Sequence, residues 1–374
     1  MRSAESGVRS AESRMRGVKC RGLTLHSPLR IPHLALLLLP FLVVVALLSG
    51  CGADRHQVIA YCAQDQEYAE PIFREFTRQT GIKVRAVYDS EAVKTVGMAN
   101  RLLAERANPQ CDVFWGNEEL RTRQLAAEKV FRETNGWAAF GYRSRRMVVN
   151  TNRLALASAP HSLLELTNET WRGKVALAYP QFGTTATHFH ALRAYWSNDL
   201  WQAWCQALAS NKPLLLDGNS TVVKMVGRGE AWLGLTDSDD IAAAQKEGLP
   251  VAALPMNGET LLIPNTVAVI RGTPHPEAAQ RLFEYLQRHE IVQQLVAARA
   301  LESLSAGARA VPGSQQPLPA DGDLALPDRS ARSNALRAED GSRSGTMGTL
   351  WPDWDALLRD LDATTAELCR IFLR

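Results

Sequence analysis

The sequence predicts an α/β protein of two lobes, with parallel-rich sheets, two hinge crossings and a helix at the C-terminus. Three observations predict it. Short apolar runs alternate with amphipathic stretches from residue 57 onward, the pattern of a sheet wound by helices. Two extended runs, 137–151 and 261–270, read as crossings between lobes, and helical spacing returns at 351–373 after a long polar stretch. The chain has 374 residues, 46% of them hydrophobic and 22% charged, enough for one large or two medium domains.

Residues 1–50 are set apart by charge and apolarity. They carry seven basic and two acidic side chains, a surplus of +5, so the net charge of +3 leaves −2 for the rest. The body has no basic bias, and no nucleic-acid partner is expected. A basic leader followed by the apolar run 34–48 has the layout of a secretory signal, too short and too interrupted by Pro40 to span a bilayer. Leu48-Ser49-Gly50-Cys51 resembles the lipobox of bacterial lipoproteins, which implies cleavage before Cys51 and lipidation of its sulfur. Met15 offers a second start. Cys62, Cys111, Cys205 and Cys369 show no metal-type spacing, and buried free thiols are the expectation.

Residues 57–63 read as a strand, 69–80 as a helix on Ile72, Phe73 and Phe76 closed by Gly81, and 82–88 as the next strand. A helical run over 90–107 leads to a third strand, 111–117. No G-x-G-x-x-G or Walker A spacing occurs at these turns, which argues against a nucleotide. After the first crossing come the strand 175–179, a threonine-rich turn at 180–187, an aromatic-rich helix through Tyr195 and a helix over 201–209. The run 213–221 leads to a helix over 222–228. After the return crossing, helices are expected at 276–288 and 291–300. Residues 305–346 have linker composition, and their deletion is expected to leave ligand affinity unchanged. The expected boundaries are 1–50 signal, 51–56 linker, 57–145 with 266–300 lobe 1, 146–265 lobe 2, 301–350 linker and 351–374 a terminal helix.

The stretch 229–240 concentrates the chemistry. A short apolar strand runs into Asp237-Ser238-Asp239-Asp240 and then a helix, so three carboxylates stand at a strand-to-helix junction, where open α/β sheets bind ligands. Asp237 or Ser238 can serve as a plain N-cap, and Asp237→Asn is then nearly silent. Three acids in four positions exceed what capping requires, and the surplus points to a cationic ligand. Opposite them, Thr184, Thr185 and Thr187 begin one helix, Asn219 and Ser220 another, and Arg143 lies on the crossing, a donor set suited to an anion.

Tyr61-Cys62-Ala63-Gln64-Asp65, Asp112-Val113-Phe114-Trp115, residues 143–151, Gly229-Glu230 and 272–279 together resemble the extracellular solute-binding proteins of ABC importers, in particular the ferric-iron-binding group. The resemblance covers residues 57–300. It implies the two-lobed periplasmic-binding-protein fold and capture of a small ligand, ferric iron alone or with a synergistic anion, in the interlobe cleft. Iron is then cargo, and no resident cofactor is required. The resemblance also implies a permease and its ATPase as partners, a monomer, and a periplasmic or cell-surface location on the lipid at Cys51. Ligand contacts are expected from Gln64, Asp65, Trp115, Asn117, Arg143, Thr184, Thr185, Asn219, Asp237, Asp239 and Asp240, with Asp239 and Asp240 as metal ligands. Those two positions carry adjacent tyrosines in ferric-binding members; carboxylates remain hard oxygen donors for Fe³⁺, Ca²⁺, Mg²⁺ or Mn²⁺. A small organic cation or zwitterion (polyamine, thiamine, aminophosphonate) stays open as cargo. An enzyme on the same fold would have to use His188, His190 and Asp237, yet His-x-His on a helix splits the rings between faces, and no nucleophile motif is present.

Overall fold

The computed structural model describes residues 56–89, 94–303, 349–350 and 352–373. The signal segment, Cys51 and residues 305–346 lie outside the described residues. Parallel strands β1 (Gln57–Cys62), β2 (Lys83–Tyr88) and β3 (Val113–Gly116) form the first half of the sheet, with helices α1 (Gln66–Thr80) and α2 (Lys94–Glu105) between them. Helix α1 buries Ala69, Ile72, Phe73 and Phe76 and stops at Gly81, whose φ of 72° lets its N–H reach the Thr77 carbonyl. Helix α3 (Glu119–Ala127) follows β3, an element that the sequence pattern does not announce.

Strand β4 (Trp137–Asn150) is the first crossing, and β9 (Thr260–Val269) the return. The two run antiparallel from Trp137↔Ala268 to Ser144↔Leu262, and β3 pairs with β9 on its other edge. Beyond Ser144, β4 leaves β9 and pairs with β7 (Leu233–Asp237), from Arg145↔Asp237 to Val149↔Leu233. Strands β5 (Val175–Ala178) and β6 (Leu214–Leu216) continue in parallel, giving the order β2-β1-β3-β9-β4-β7-β5-β6, with β8 (Val251–Leu254) on β4. Helices α4 (Gly183–Trp196), α5 (Asn198–Ser210), α6 (Asn219–Arg228) and α7 (Ser238–Lys246) serve this second half; α8 (Pro276–Leu286) and α9 (His289–Ala297) return to the first.

Each half has its own apolar cores. Phe73, Phe76, Trp115, Phe140, Leu282 and Leu286 pack on one face of the first half, with Tyr61, Phe114, Leu125 and Phe131 on the other. In the second, Leu177, Phe189, Trp201, Trp204 and Leu235 form the larger cluster, and Val148, Ala176, Val222 and Ile241 the smaller.

The C-terminal segment departs from the single helix expected. Two helices form, α10 (Trp354–Arg359) and α11 (Leu361–Phe372), broken at Asp360. The break lets Trp354 and Leu357 on one helix and Leu368 and Phe372 on the other all reach the larger core of the second half, where Phe372 stands edge-on to Phe189 at 5.9 Å. The expected linker is also narrower at both ends. Leu301 is buried, Glu302 N–H donates to the Tyr142 carbonyl at 2.6 Å, and β10 (Thr349–Leu350) pairs with Thr260 and Leu261. Among the described residues, no helix is long and apolar enough to cross a membrane.

Candidate functional site

The change of partner along β4 builds the site. Arg143 and Arg145 are two residues apart on a strand, so both point to one face, and the register sets Arg145 opposite Asp237 at the carboxyl end of β7. Helices α4, α6 and α7 all begin at this end of the sheet, bringing Thr184, Thr185, Asn219 and Asp239 onto the same spot.

Asp237 is the hub. Its Oδ1 accepts from Arg145 Nη1 at 2.7 Å, and its Oδ2 accepts from Thr184 Oγ1 at 2.9 Å and Asn219 Nδ2 at 3.2 Å. Arg143 Nε lies 3.2 Å from the same oxygen, off the direction of a hydrogen bond. Burial would raise the Asp237 pKa, but Arg145 and Arg143 outweigh it and hold the carboxyl below the ordinary aspartate range. The expected capping role is therefore corrected: Asp237 occupies the N-cap position of α7, and its side chain makes no capping bond. The two arginines take that carboxylate instead.

Arg145, absent from the sequence-based expectation, is wholly buried and also donates to Asn219 Oδ1 at 3.0 Å, Thr185 Oγ1 at 3.2 Å and Thr184 Oγ1 at 3.3 Å. Its two-residue spacing from Arg143 was the available signal. Arg143 bridges the halves, donating to the Asn117 carbonyl at 2.9 Å and lying 3.5 Å from Asp239 Oδ2. Asp239 is only 4% exposed, and its Oδ1 is buried without a hydrogen-bond partner. Burial, reinforced by the charges of Asp237 and Asp65 and only partly opposed by Arg143, raises its pKa to about 7. Asp240 Oδ2 accepts from Thr236 Oγ1 at 3.1 Å. Carboxylate oxygens of Asp237, Asp239 and Asp240 all lie within 4.8 Å of one another.

Asp65, Asn117, Arg143, Thr184, Thr185, Asn219 and the three acids thus line one cavity of about 70 Å³, with Tyr179 and Phe182 at its wall. That is room for an ion with a few small ligands. Two expected contacts do not reach it. Trp115 is fully buried between Phe73 and Phe140, each 5.6 Å away, because its strand position faces the core. Gln64 is also buried, its Oε1 accepting from Asn265 Nδ2 at 3.0 Å. His188 and His190 are packed away from the cavity: His188 Nε2 is 2.7 Å from the Glu259 carbonyl, and burial pushes both pKa values down to about 3. Neither ring is placed for acid–base work in the cleft.

The bacterial extracellular solute-binding protein family matches this chain over residues 58–298. An Fe(3+)-binding periplasmic protein of Serratia marcescens is 31% identical over 205 residues, covering 50% of this chain and 58% of that protein. A major ferric iron-binding protein of Neisseria meningitidis is 22% identical over 286 residues, covering 70% and 84%. The chain therefore spans little more than half of the first relative's length and most of the second's. Iron-bound HitA from Pseudomonas aeruginosa superposes with a TM-score of 0.65 at 16% identity, over 83% of this chain and 99% of that one. The apo ferric ion-binding protein A of Pasteurella haemolytica gives 0.64 at 16%, over 84% and 98%. The fold is thus that of the two-lobed periplasmic binding proteins, and this is a family of solute-binding transport proteins rather than of enzymes. The chain belongs to the bacterial extracellular solute-binding proteins.

Proposed function

We propose that this chain captures ferric iron in the cleft between its lobes and hands it to an ABC permease driven by its ATPase. The observation that carries the reading is the convergence of buried Asp237 and Asp239 with half-buried Asp240, one Asp239 oxygen being left without a hydrogen bond. A buried carboxylate oxygen without a partner is costly, and a hard cation offsets that cost. The names of its relatives support iron over other hard cations, because the Serratia and Neisseria proteins are ferric iron binders. Asp237 is neutralised by two arginines, so Asp239 and Asp240 face the ion as ligands and Asp237 orders the arginines behind them. Thr184, Thr185 and Asn219 stand at helix N-termini beside Arg143, where a small oxyanion completes the coordination.

The protein works as a monomer in the periplasm, held to a membrane by a lipid on Cys51. Cys51→Ser then releases the folded body from the membrane fraction. Protein purified without chelator tests the cargo directly, by metal analysis together with mass spectrometry of released small molecules. One iron per chain is expected. An organic cation or zwitterion recovered in place of iron contradicts the reading.

A further inference from the structure

Helix α10 of the C-terminal pair lies between the two halves. It packs on α3, which belongs to the first half, and on α4, which belongs to the second. Its anchorage is on the second-half side. Strand β10 before it pairs with the start of β9, and α11 after it buries Leu368 and Phe372 in the larger core there, with Arg193 Nη1 of α4 donating to Thr364 Oγ1 at 2.6 Å. The first half enters that same core, among the described residues, with Leu120 of α3 alone, which is buried. Arg123 follows Leu120 by three residues, on the same face of α3. Its guanidinium stands 5.5 Å from the centre of the Trp137 ring, in the first half, and 6.0 Å from that of the Trp354 ring on α10, held by Glu119 at 2.6 Å. A guanidinium between two indole rings is attracted by both, the more so where it is largely out of water, as Arg123 is. Asp355 adds an exposed contact to Arg123 at 3.4 Å.

We propose that α10 is a strap across the seam: it moves with the second half and closes onto α3 of the first through Arg123 and Trp354, so the C-terminal segment sets how readily the halves part. Opening the cleft takes α3 away from α4 and α10 together. It breaks the hydrogen bond from Thr187 to Glu118, brings Leu120 into water and separates Trp354 from its cation. Glu118, Leu120, Arg123, Thr187 and Trp354 all lie outside the lining of the cleft cavity. The strap therefore acts on the opening equilibrium and not on the cargo, and it holds for any cargo. A binding protein whose closed form is scarcer binds its cargo more weakly by that fraction.

The test combines small-angle scattering of the metal-free protein with titration of ferric iron, as its citrate complex, in Arg123→Gln, Trp354→Leu and the double variant, all below the onset of thermal unfolding. Each single variant is expected to have a larger metal-free radius of gyration than wild type and to bind iron about three- to tenfold more weakly. The double variant is expected to lose less than the sum of the two, because both substitutions remove the same contact. A radius of gyration that stays at the wild-type value overturns the proposal even where stability falls, since Arg123 and Trp354 are then packing residues only. Strictly additive losses overturn the grip assigned to the Arg123–Trp354 pair. Wild type that binds no iron overturns the ferric reading alone, and scattering, which needs no metal, then decides the strap.

Discussion

At the scale of single residues, the site is an arrangement of buried charges, and the arginines decide its energetics. Asp237 compensates Arg145, which has no exposed surface and pairs with the Asp237 carboxylate at 2.7 Å. Removing one partner of a buried pair leaves the other uncompensated, which costs about 3–5 kcal/mol. Asp237→Asn is therefore expected to lower the unfolding free energy of the metal-free protein, read from urea titration, by that amount, where a cap-only role leaves it unmoved. Asp239 behaves in the opposite sense. Its folded pKa, about 7, lies above the ordinary aspartate value of 3.8, so its neutral form is favoured by folding. The stability it contributes is fully present below pH 3.8 and is lost as pH rises through 7. Asp239→Asn does not titrate, so the variant should gain on wild type steadily in thermal scans between pH 4 and 8. A constant difference across that range contradicts the assignment. The three acids, both threonines and Asn219 were legible because motif and helix starts mark them, and Arg143 because it stands on the crossing strand. Arg145 was hidden because charged residues on a strand signal solvent as a rule, and Trp115 misled because a strand's last residues can face either the cleft or the core.

At the scale of elements, the two crossing strands carry the hinge, and a bulge sits on one of them. The β4–β9 register shifts between Phe140 and Tyr142, and Gly141 there has a φ of 62°. A Cβ on Gly141 would come to 2.3 Å from Leu301 Cδ1, a side-chain tip that would have to shift, so the backbone conformation is what demands glycine. Gly141→Ala is expected to cost about 1–3 kcal/mol in equilibrium unfolding and to displace the 301–302 segment. Retained stability argues against a strained bulge. Glu302 accepts from Ser144 Oγ at 2.9 Å and lies 3.4 Å from Arg146, so this segment clasps the crossing strand where it changes partners. The crossings themselves were readable from their length and apolarity. Helix α3 was not, because its cap is Glu118 rather than a preferred N-cap residue and its apolar positions are few. The break at Asp360 escaped for a similar reason. Helical spacing continues through it, and only packing against the second half reveals two helices in place of one.

At the scale of the molecule, function follows from a sheet whose halves meet at a cluster of acids and arginines. Arg143 touches Asn117 on one side and the α7 acids on the other, and Thr187 of α4 donates to the buried Glu118 at 3.1 Å. Such contacts favour the closed arrangement, and under the proposed function a cation held between the lobes adds to them. Small-angle scattering of the metal-free protein is expected to show a larger radius of gyration than the iron-loaded form, and identical curves contradict ligand-linked closure. The central claim is that the α7 carboxylates hold the cargo. Equilibrium titration of ferric iron, presented as its citrate complex, into wild type, Asp239→Asn and Asp240→Asn tests it most directly. A charge-assisted contact is worth about 1.5–3 kcal/mol, so each variant should bind about one to two decades more weakly than the one-to-one wild type. Wild-type affinity in both variants, with the fold intact, contradicts the claim.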